Sequence, residues 1–371
     1  MILRVPDYYK DFSCIADKCK DSCCIGWEID VDEDSQGYYE SIEGAFGDRL
    51  RENMYLSEDG GCRFRLKEHG RCPFLNSGNL CDIYIELGEE ALGDVCTEYP
   101  RFAVEYGNVR QKILSLSCEV VGKMVFNRTK PVEYVDYEQP GMLEIVEGDD
   151  PRVIDFVKAV MDKSLDILKD RTLDIRVRMK KYLLFAEACQ EKMNSETFDT
   201  ESLETLANID IEEDGALPDY SYEDFDARFY AYDEMDPVSQ EWLDTKAKLL
   251  EVMNEQSYDR LIKEFMSSDS YKDLDYEHLV VYFTFRYMMN AVYDFSVASY
   301  AKLAVVFTLV IRDLDAVRFH ENGGKYTTED RIDIARIFSK EVEHSEENFE
   351  LAKEELLFGG VYSLDELLCQ I

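Results

Sequence analysis

Nine of the 11 cysteines in this 371-residue chain fall within its first 118 residues: Cys14, Cys19, Cys23, Cys24, Cys62, Cys72, Cys81, Cys96 and Cys118. Only Cys189 and Cys369 lie beyond. Thiols at that density are read by the redox compartment they occupy. The opening Met1-Ile-Leu-Arg-Val-Pro-Asp shows no basic segment followed by an apolar run, so a reducing, cytoplasmic location is expected. There, clustered cysteines bind metal more often than they form disulfides. The odd number of thiols points the same way. The longest nearly apolar stretch, near Leu303–Ile311, is far short of the ~20 residues that a membrane span needs.

The sequence around the thiols has few signs of a regular core. Gly60-Gly61, Gly70 and Asn76-Ser-Gly78-Asn79 punctuate it. One short helix is expected within Asp82–Gly93. A β-hairpin is expected over Ala103–Ser117, turning at Tyr106-Gly107-Asn108. A loop-rich lobe of this kind usually substitutes metal ligation for core. Thiolates suit zinc or iron–sulfur clusters, commonly four per site. Nine cysteines therefore serve two four-ligand sites with one left over, or one site and several buried thiols. Cys23 and Cys24 are adjacent and their side chains diverge, which assigns them to different roles. His69 reads as an exposed loop residue.

Beyond residue 126 the pattern changes. Residues 127–150 read as a connector, with Pro131, Pro140 and the acidic run Glu147-Gly-Asp-Asp150. From 151 to 371 helical spacing dominates: Pro151 follows Asp150 as a first helical residue, and Val153, Val157, Val160 and Leu165 recur on one face. Further helices are expected over Leu173–Met193, Pro237–Met266, Tyr271–Phe295, Val297–Phe319 and Thr328–His344, then two shorter ones. Residues 195–236 are acidic, Tyr-rich and partly loop. Thr327-x-x-Asp330 and Ser363-x-x-Glu366 resemble helix-start boxes. The expected class is mainly α, with a Cys-rich, loop-rich N-terminal metal-binding lobe (1–126) and a helical C-terminal domain (151–371).

Charge limits the partners. With 41 basic and 79 acidic residues the formal charge is −38. Such a chain can hardly assemble the basic surface that nucleic acid or anionic lipid requires. Residues 1–120 carry 13 basic and 24 acidic groups, so most of the excess lies on the helical part. An acidic face attracts lysine side chains by long-range steering.

The arrangement Cys14-x4-Cys19-x3-Cys23-Cys24-Ile-Gly-Trp27, then Cys72-Pro-Phe-Leu75, Leu80-Cys81-Asp-Ile-Tyr84, Leu87-Gly-Glu-Glu-Ala-Leu92, Cys96-Thr-Glu-Tyr-Pro-Arg-Phe102 and Leu114-Ser-Leu-Ser-Cys118-Glu119, resembles flagellin lysine-N-methylase. That family lies within a wider group of zinc- or iron-chelating cysteine-cluster proteins. The cysteine framework matches the wider group, and Trp27 with Ser117-Cys118-Glu119 narrows it to the methylase-like branch. The likeness is dense over residues 8–121. It continues more weakly through Tyr282-Phe-Thr-Phe-Arg286-Tyr287, Ala291-Val-Tyr-Asp294 and Val310-Ile-Arg-Asp-Leu314. The resemblance implies methyl transfer from S-adenosylmethionine to flagellin lysine ε-amines, with an iron–sulfur cluster, [4Fe–4S] or alternatively zinc, on the nine N-terminal cysteines.

Amine methylation needs a neutral amine, an aligned sulfonium methyl and an acceptor for a proton of pKa about 10.4. Aromatic rings and carboxylates suit both cations. Tyr282, Tyr287 and Asp294 are therefore the candidate catalytic groups, and Arg286, Asp294 and Trp27 the candidate methyl-donor contacts. Arg286 interrupts an apolar run and needs a partner. On one continuous helix, Arg286 and Asp294 stand about 80° apart and border one cleft. A G-x-G-x-x-G after a strand is absent, and so is the Cys-x3-Cys-x2-Cys spacing of radical S-adenosylmethionine enzymes. The competing expectation is a non-catalytic metal-binding or metal-sensing protein with a structural zinc or iron site.

Overall fold

The structure, a computed structural model, describes residues 1–58, 60–141, 143, 150–211, 216–358 and 362–371. Most of the connector's acidic run, 147–149, and the loop 212–215 lie outside them. Among the described residues helix outweighs strand by 59% to 10%, which makes the class mainly α.

The strands are β1 (Ile2–Pro6), β2 (Met54–Leu56), β3 (Cys62–Phe64), β4 (Arg101–Tyr106), β5 (Val109–Leu114) and β6 (Tyr134–Glu138). β4 and β5 form the expected hairpin around Gly107, whose φ of +52° suits the turn. That hairpin is half of a four-stranded sheet in the order β4-β5-β1-β6. β1 runs parallel to β5 and antiparallel to β6. The stretch read as a connector thus contributes an edge strand. Local alternation shows a strand but not its partner across more than 100 residues, so the sheet was not visible in the sequence.

The sheet packs on the helices rather than on the thiol loops. The Gln111 amide of β5 donates to the Phe285 carbonyl at 2.6 Å, and Tyr134 stacks on Phe285 with ring centroids 3.9 Å apart. The centre of the body is the helix Val297–Glu321, in which every side chain from Leu303 through Val317 is buried. A helix apolar on nearly all faces has to be a core helix. Its charged members are paired: Arg331 reaches Asp315 at 2.5 Å, Tyr276 donates to Asp315 at 2.8 Å, and Arg228 pairs with Asp313. Two caps read from the sequence form as expected. Asp150 accepts from Arg152 N ahead of Pro151–Lys169, and Thr327 with Asp330 closes a full capping box.

Two long helices break. Pro237–Met266 is two helices, Gln240–Val252 and Tyr258–Met266, where Ser257 Oγ donates to the Val252 carbonyl at 2.7 Å. Tyr271–Phe295 becomes Asp273–Tyr287, a tight turn at Met288–Asn290 and the short helix Ala291–Asp294, ended by Phe295 at φ +57°. The second break lies inside apolar spacing that runs on through Met288, Met289 and Ala291, whereas the first coincides with the polar run Asn254-Glu-Gln-Ser257.

The thiol loops have a small apolar core after all. Ile29, Val31, Tyr39, Leu50, Phe64, Phe74 and Ile83 form it with buried Cys62 and Cys72. The two cores do not divide at residue 126: Tyr8, Tyr106, Ile113, Leu116 and Val125 belong to the helical body. Asp21 links the two regions through Arg336 at 2.9 Å and Lys340 at 2.7 Å. Among the described residues no helix is long and apolar enough to cross a membrane.

Candidate functional site

Between the thiol loops and the helical body lies a cleft of about 1930 Å³. Seven of the nine N-terminal cysteines line it, all but Cys62 and Cys72. Its aromatic wall is Trp27, Tyr99, Phe102 and His344. Gly26, at φ +106°, sets up Trp27; there a Cβ would press on Lys340 and on the Val238 carbonyl. Trp27 stacks on His344 with centroids 5.0 Å apart, and Phe102 lies 4.8 Å from the same ring. Nine carboxylates and four basic side chains line the cleft, so its charge matches the acidity of the whole chain.

The thiols fall into two neighbourhoods. Cys96 is pushed up to about 12 by burial, then by Cys24, Cys72 and Cys81. Cys72 likewise rises to about 12, by burial first and with contributions from Cys24 and Cys81. Cys19 rises to about 12 by burial, then through Glu119, Cys118 and Cys14. The adjacent Cys23 thiol lowers Cys24 to about 7, against the opposing effect of burial. One set is therefore Cys24, Cys72, Cys81 and Cys96, and the other gathers Cys14, Cys19 and Cys118, with Cys23 between them. Cys62 feels only burial and Glu40. Each thiol disfavours its neighbours' thiolates, and a bound cation removes that penalty. Soft donors in groups near four fit zinc or an iron–sulfur cluster. The sulfurs have not converged: among the described residues no three His, Cys, Asp or Glu side chains stand close enough to hold one ion. His69 is exposed, at φ +60°.

Of the residues picked from the sequence, Trp27 lines the cleft. Tyr282, Tyr287 and Arg286 come together one layer behind it. Tyr287 donates to Glu343 at 2.8 Å, and Tyr282 reaches both oxygens of that carboxylate at 3.2 Å. Arg286 lies 3.8 Å over the Phe102 ring, and its Nε is buried without a hydrogen-bond partner. Asp294 is elsewhere. It is exposed, accepts from Tyr300 at 2.6 Å and is outside the cleft lining. The helix break at Met288–Asn290 removes the geometry that was expected to set it beside Arg286.

The sequence reading missed Glu343, His344, Ser115, Ser339 and Tyr99. His344 Nε2 is within 2.8 Å of Ser117 Oγ and 3.0 Å of Ser115 Oγ. Burial, then the charges of Arg286 and Lys340, push His344 down to about 3, so its ring is neutral. Burial raises Glu343, against the opposing charge of Arg286 and bonds from Ser339, Tyr287 and Tyr282. The run Lys340-Glu-Val-Glu-His344 resembles a solvated helix end, and only the fold shows that it is buried. The Ser115-Leu-Ser117 alternation was the one available signal.

A family profile described as the FliB lysine N-methylase C-terminal domain matches residues 162–370, more than half of the chain. The class is thereby that of methyltransferase enzymes. The chain belongs to the FliB lysine N-methylase family. It is 30% identical over 127 residues to the flagellar biosynthetic protein FliU of Salmonella muenchen, a span of 33% of this chain and 75% of that one. It is also 30% identical over 127 residues to a lysine-N-methylase of Salmonella choleraesuis and 29% to that of Salmonella typhimurium. Those two matches span only 32% of each relative. No solved structure matches the chain.

Proposed function

We propose that the protein transfers methyl groups from S-adenosylmethionine to lysine ε-amines of flagellin, in the cleft between its thiol loops and its helical body. The observation that carries this reading is the cleft itself, an acid-lined cavity with one aromatic wall beside a wall of thiols. Acid and aromatic faces attract both the lysine cation and a sulfonium. Arg286, stacked behind Phe102, backs the aromatic wall with positive charge and does not itself line the cleft. Trp27, Tyr99 and Phe102 exclude water and present ring faces to the cationic methyl centre.

Cys24, Cys72, Cys81 and Cys96 would hold a cluster, and Cys14, Cys19, Cys23 and Cys118 a second metal. When bound, the metal supplies cross-links and, if it is an iron–sulfur cluster, a redox-active charge at the cleft wall. Tyr282 and Tyr287 act from behind the aromatic wall by fixing Glu343. Asp294 has no role in this reading.

The test is anaerobic purification followed by incubation with methyl-labelled S-adenosylmethionine and flagellin. Label in flagellin lysines is expected. A metal-replete protein that labels no flagellin refutes the substrate assignment. A visible absorption spectrum separates the cofactors, since an iron–sulfur protein is brown and a zinc protein colourless.

A further inference from the structure

A lysine side chain reaches the cleft as an ammonium, and an ammonium has no lone pair with which to attack a methyl group. A proton must leave it before transfer. A continuous line of hydroxyls runs from the cleft into the body. Tyr99 OH lies 3.1 Å from Ser117 Oγ, Ser117 Oγ 2.8 Å from Ser115 Oγ, and Ser115 Oγ 3.2 Å from Ser339 Oγ. Ser339 Oγ in turn donates to the Glu343 carboxylate. Tyr99 and Ser117 line the cleft, whereas Ser115 and Ser339 are fully buried. Because Ser339 gives its proton to Glu343, its lone pairs are free to accept from Ser115. The line therefore has one direction, inward.

We propose that Glu343 is the proton acceptor of the methyl-transfer reaction and that Tyr99, Ser117, Ser115 and Ser339 carry the proton to it. This rests on the methyltransferase reading above and deepens it. Every hydrogen bond to the Glu343 carboxylate comes from a hydroxyl, those of Ser339, Tyr282 and Tyr287. A buried carboxylate with a purely structural role is expected to carry a paired cation. Glu343 also caps the C-terminal end of Thr328–Val342, where the helix dipole disfavours an anion and favours its protonation. Arg286 is the charged group facing it from the helix Asp273–Tyr287, and its charge opposes the upward shift that burial imposes on the carboxyl. His344 is a positioning residue. Its neutral ring, set between Trp27 and Phe102, holds the Ser115 and Ser117 hydroxyls in line through Nε2.

The balance is direct. The ammonium N–H bond breaks and its proton enters the line at Tyr99 or Ser117. Each hydroxyl passes on its own proton, and Glu343 becomes a neutral acid. The amine lone pair then forms the N–C bond while the methyl–sulfur bond breaks, leaving a neutral thioether and a methylammonium. Glu343 returns its proton by the reverse path to water once the product has left. The first step turns two opposite charges into two neutral groups, which a low-dielectric interior favours.

The test is the pH–rate profile of the full-length holoenzyme against Glu343→Gln and Ser339→Ala, with protein substrate and S-adenosylmethionine. Both variants are expected to lose about 100-fold in kcat near pH 7. Both should regain most of it towards pH 10, where the lysine deprotonates unaided, with KM for the donor unchanged. A structural role lowers the rate by one factor at every pH, and that result overturns the proposal. So does a Ser339→Ala enzyme with the wild-type rate and profile. If Glu343→Gln fails to fold, Ser339→Ala and Ser115→Ala decide. A wild-type enzyme that transfers no methyl group refutes the methyltransferase reading and the relay together, whereas active wild type with unaltered variants refutes the relay alone.

Discussion

The helix Val297–Glu321 buries every side chain from Leu303 through Val317, whereas the stretch Ile29–Ala91 gathers 11 buried apolar residues, two of them cysteines. One wall of the cleft is thus held by packing and by paired buried charges such as Arg331–Asp315. The other combines a small core with a set of thiols that repel one another as anions. The comparison shows how one chain makes a rigid site from unequal parts. The body fixes Glu343, Arg286 and His344 by burial, while in the proposed reading the thiol wall depends on the metal its sulfurs bind.

The largest expected effect comes from removing that dependence. Cys24→Ser should abolish metal retention and cut methyl transfer by more than the ~10–100-fold typical of changes one shell further out. In limited proteolysis the thiol loops should be cleaved first, with the helical body resistant. A variant that keeps its metal and its rate would break the division of labour between the walls.

The converse substitution should behave in the opposite way. Phe307 is fully buried and packs between Phe283, Phe338 and Tyr287. Phe307→Ala should destabilise the fold by about 3–5 kcal/mol in urea unfolding, with metal per folded chain unchanged. Loss of metal from the folded variant would show that the two walls are one cooperative unit.

A smaller effect separates the walls by pH. His278 is buried in the body and neither ring nitrogen has a hydrogen-bond partner. Burial pushes it down to about 4 from an ordinary 6.5. The unfolded chain therefore binds a proton that the folded chain refuses. The stability that this neutral ring permits is complete above pH 6.5 and is lost as pH falls towards 4. Relative to His278→Leu, the wild type should lose up to about 1.4 kcal/mol per pH unit across that window. Equal slopes in the two proteins would show that His278 titrates normally.

What could be read in advance followed from local physics. The Asp150-Pro151 start, the Thr327–Asp330 box and the β4–β5 hairpin each depend on a few adjacent residues, and each formed as expected. The partners of β1 depend on residues more than 100 positions away, and no local pattern gives them. The cysteines were conspicuous as a set, but their grouping depends on how the loops fold. Arg286 and the two tyrosines stood out because polar groups in an apolar run demand an explanation. Glu343 did not, since acids are ordinary in a chain of net charge −38. Its distinction is burial among hydroxyls, which only three dimensions reveal.

The central claim is that both walls of the cleft serve one methyl-transfer site. Trp27, held on the thiol side and stacked on His344 of the body, belongs to both. The most direct measurement is mass-spectrometric counting of methyl groups on flagellin lysines after reaction with the metal-loaded wild type and with Trp27→Ala. The account predicts methylated lysines with the wild type, and a folded, metal-bearing variant that methylates almost none. Equal methylation by the two would contradict it.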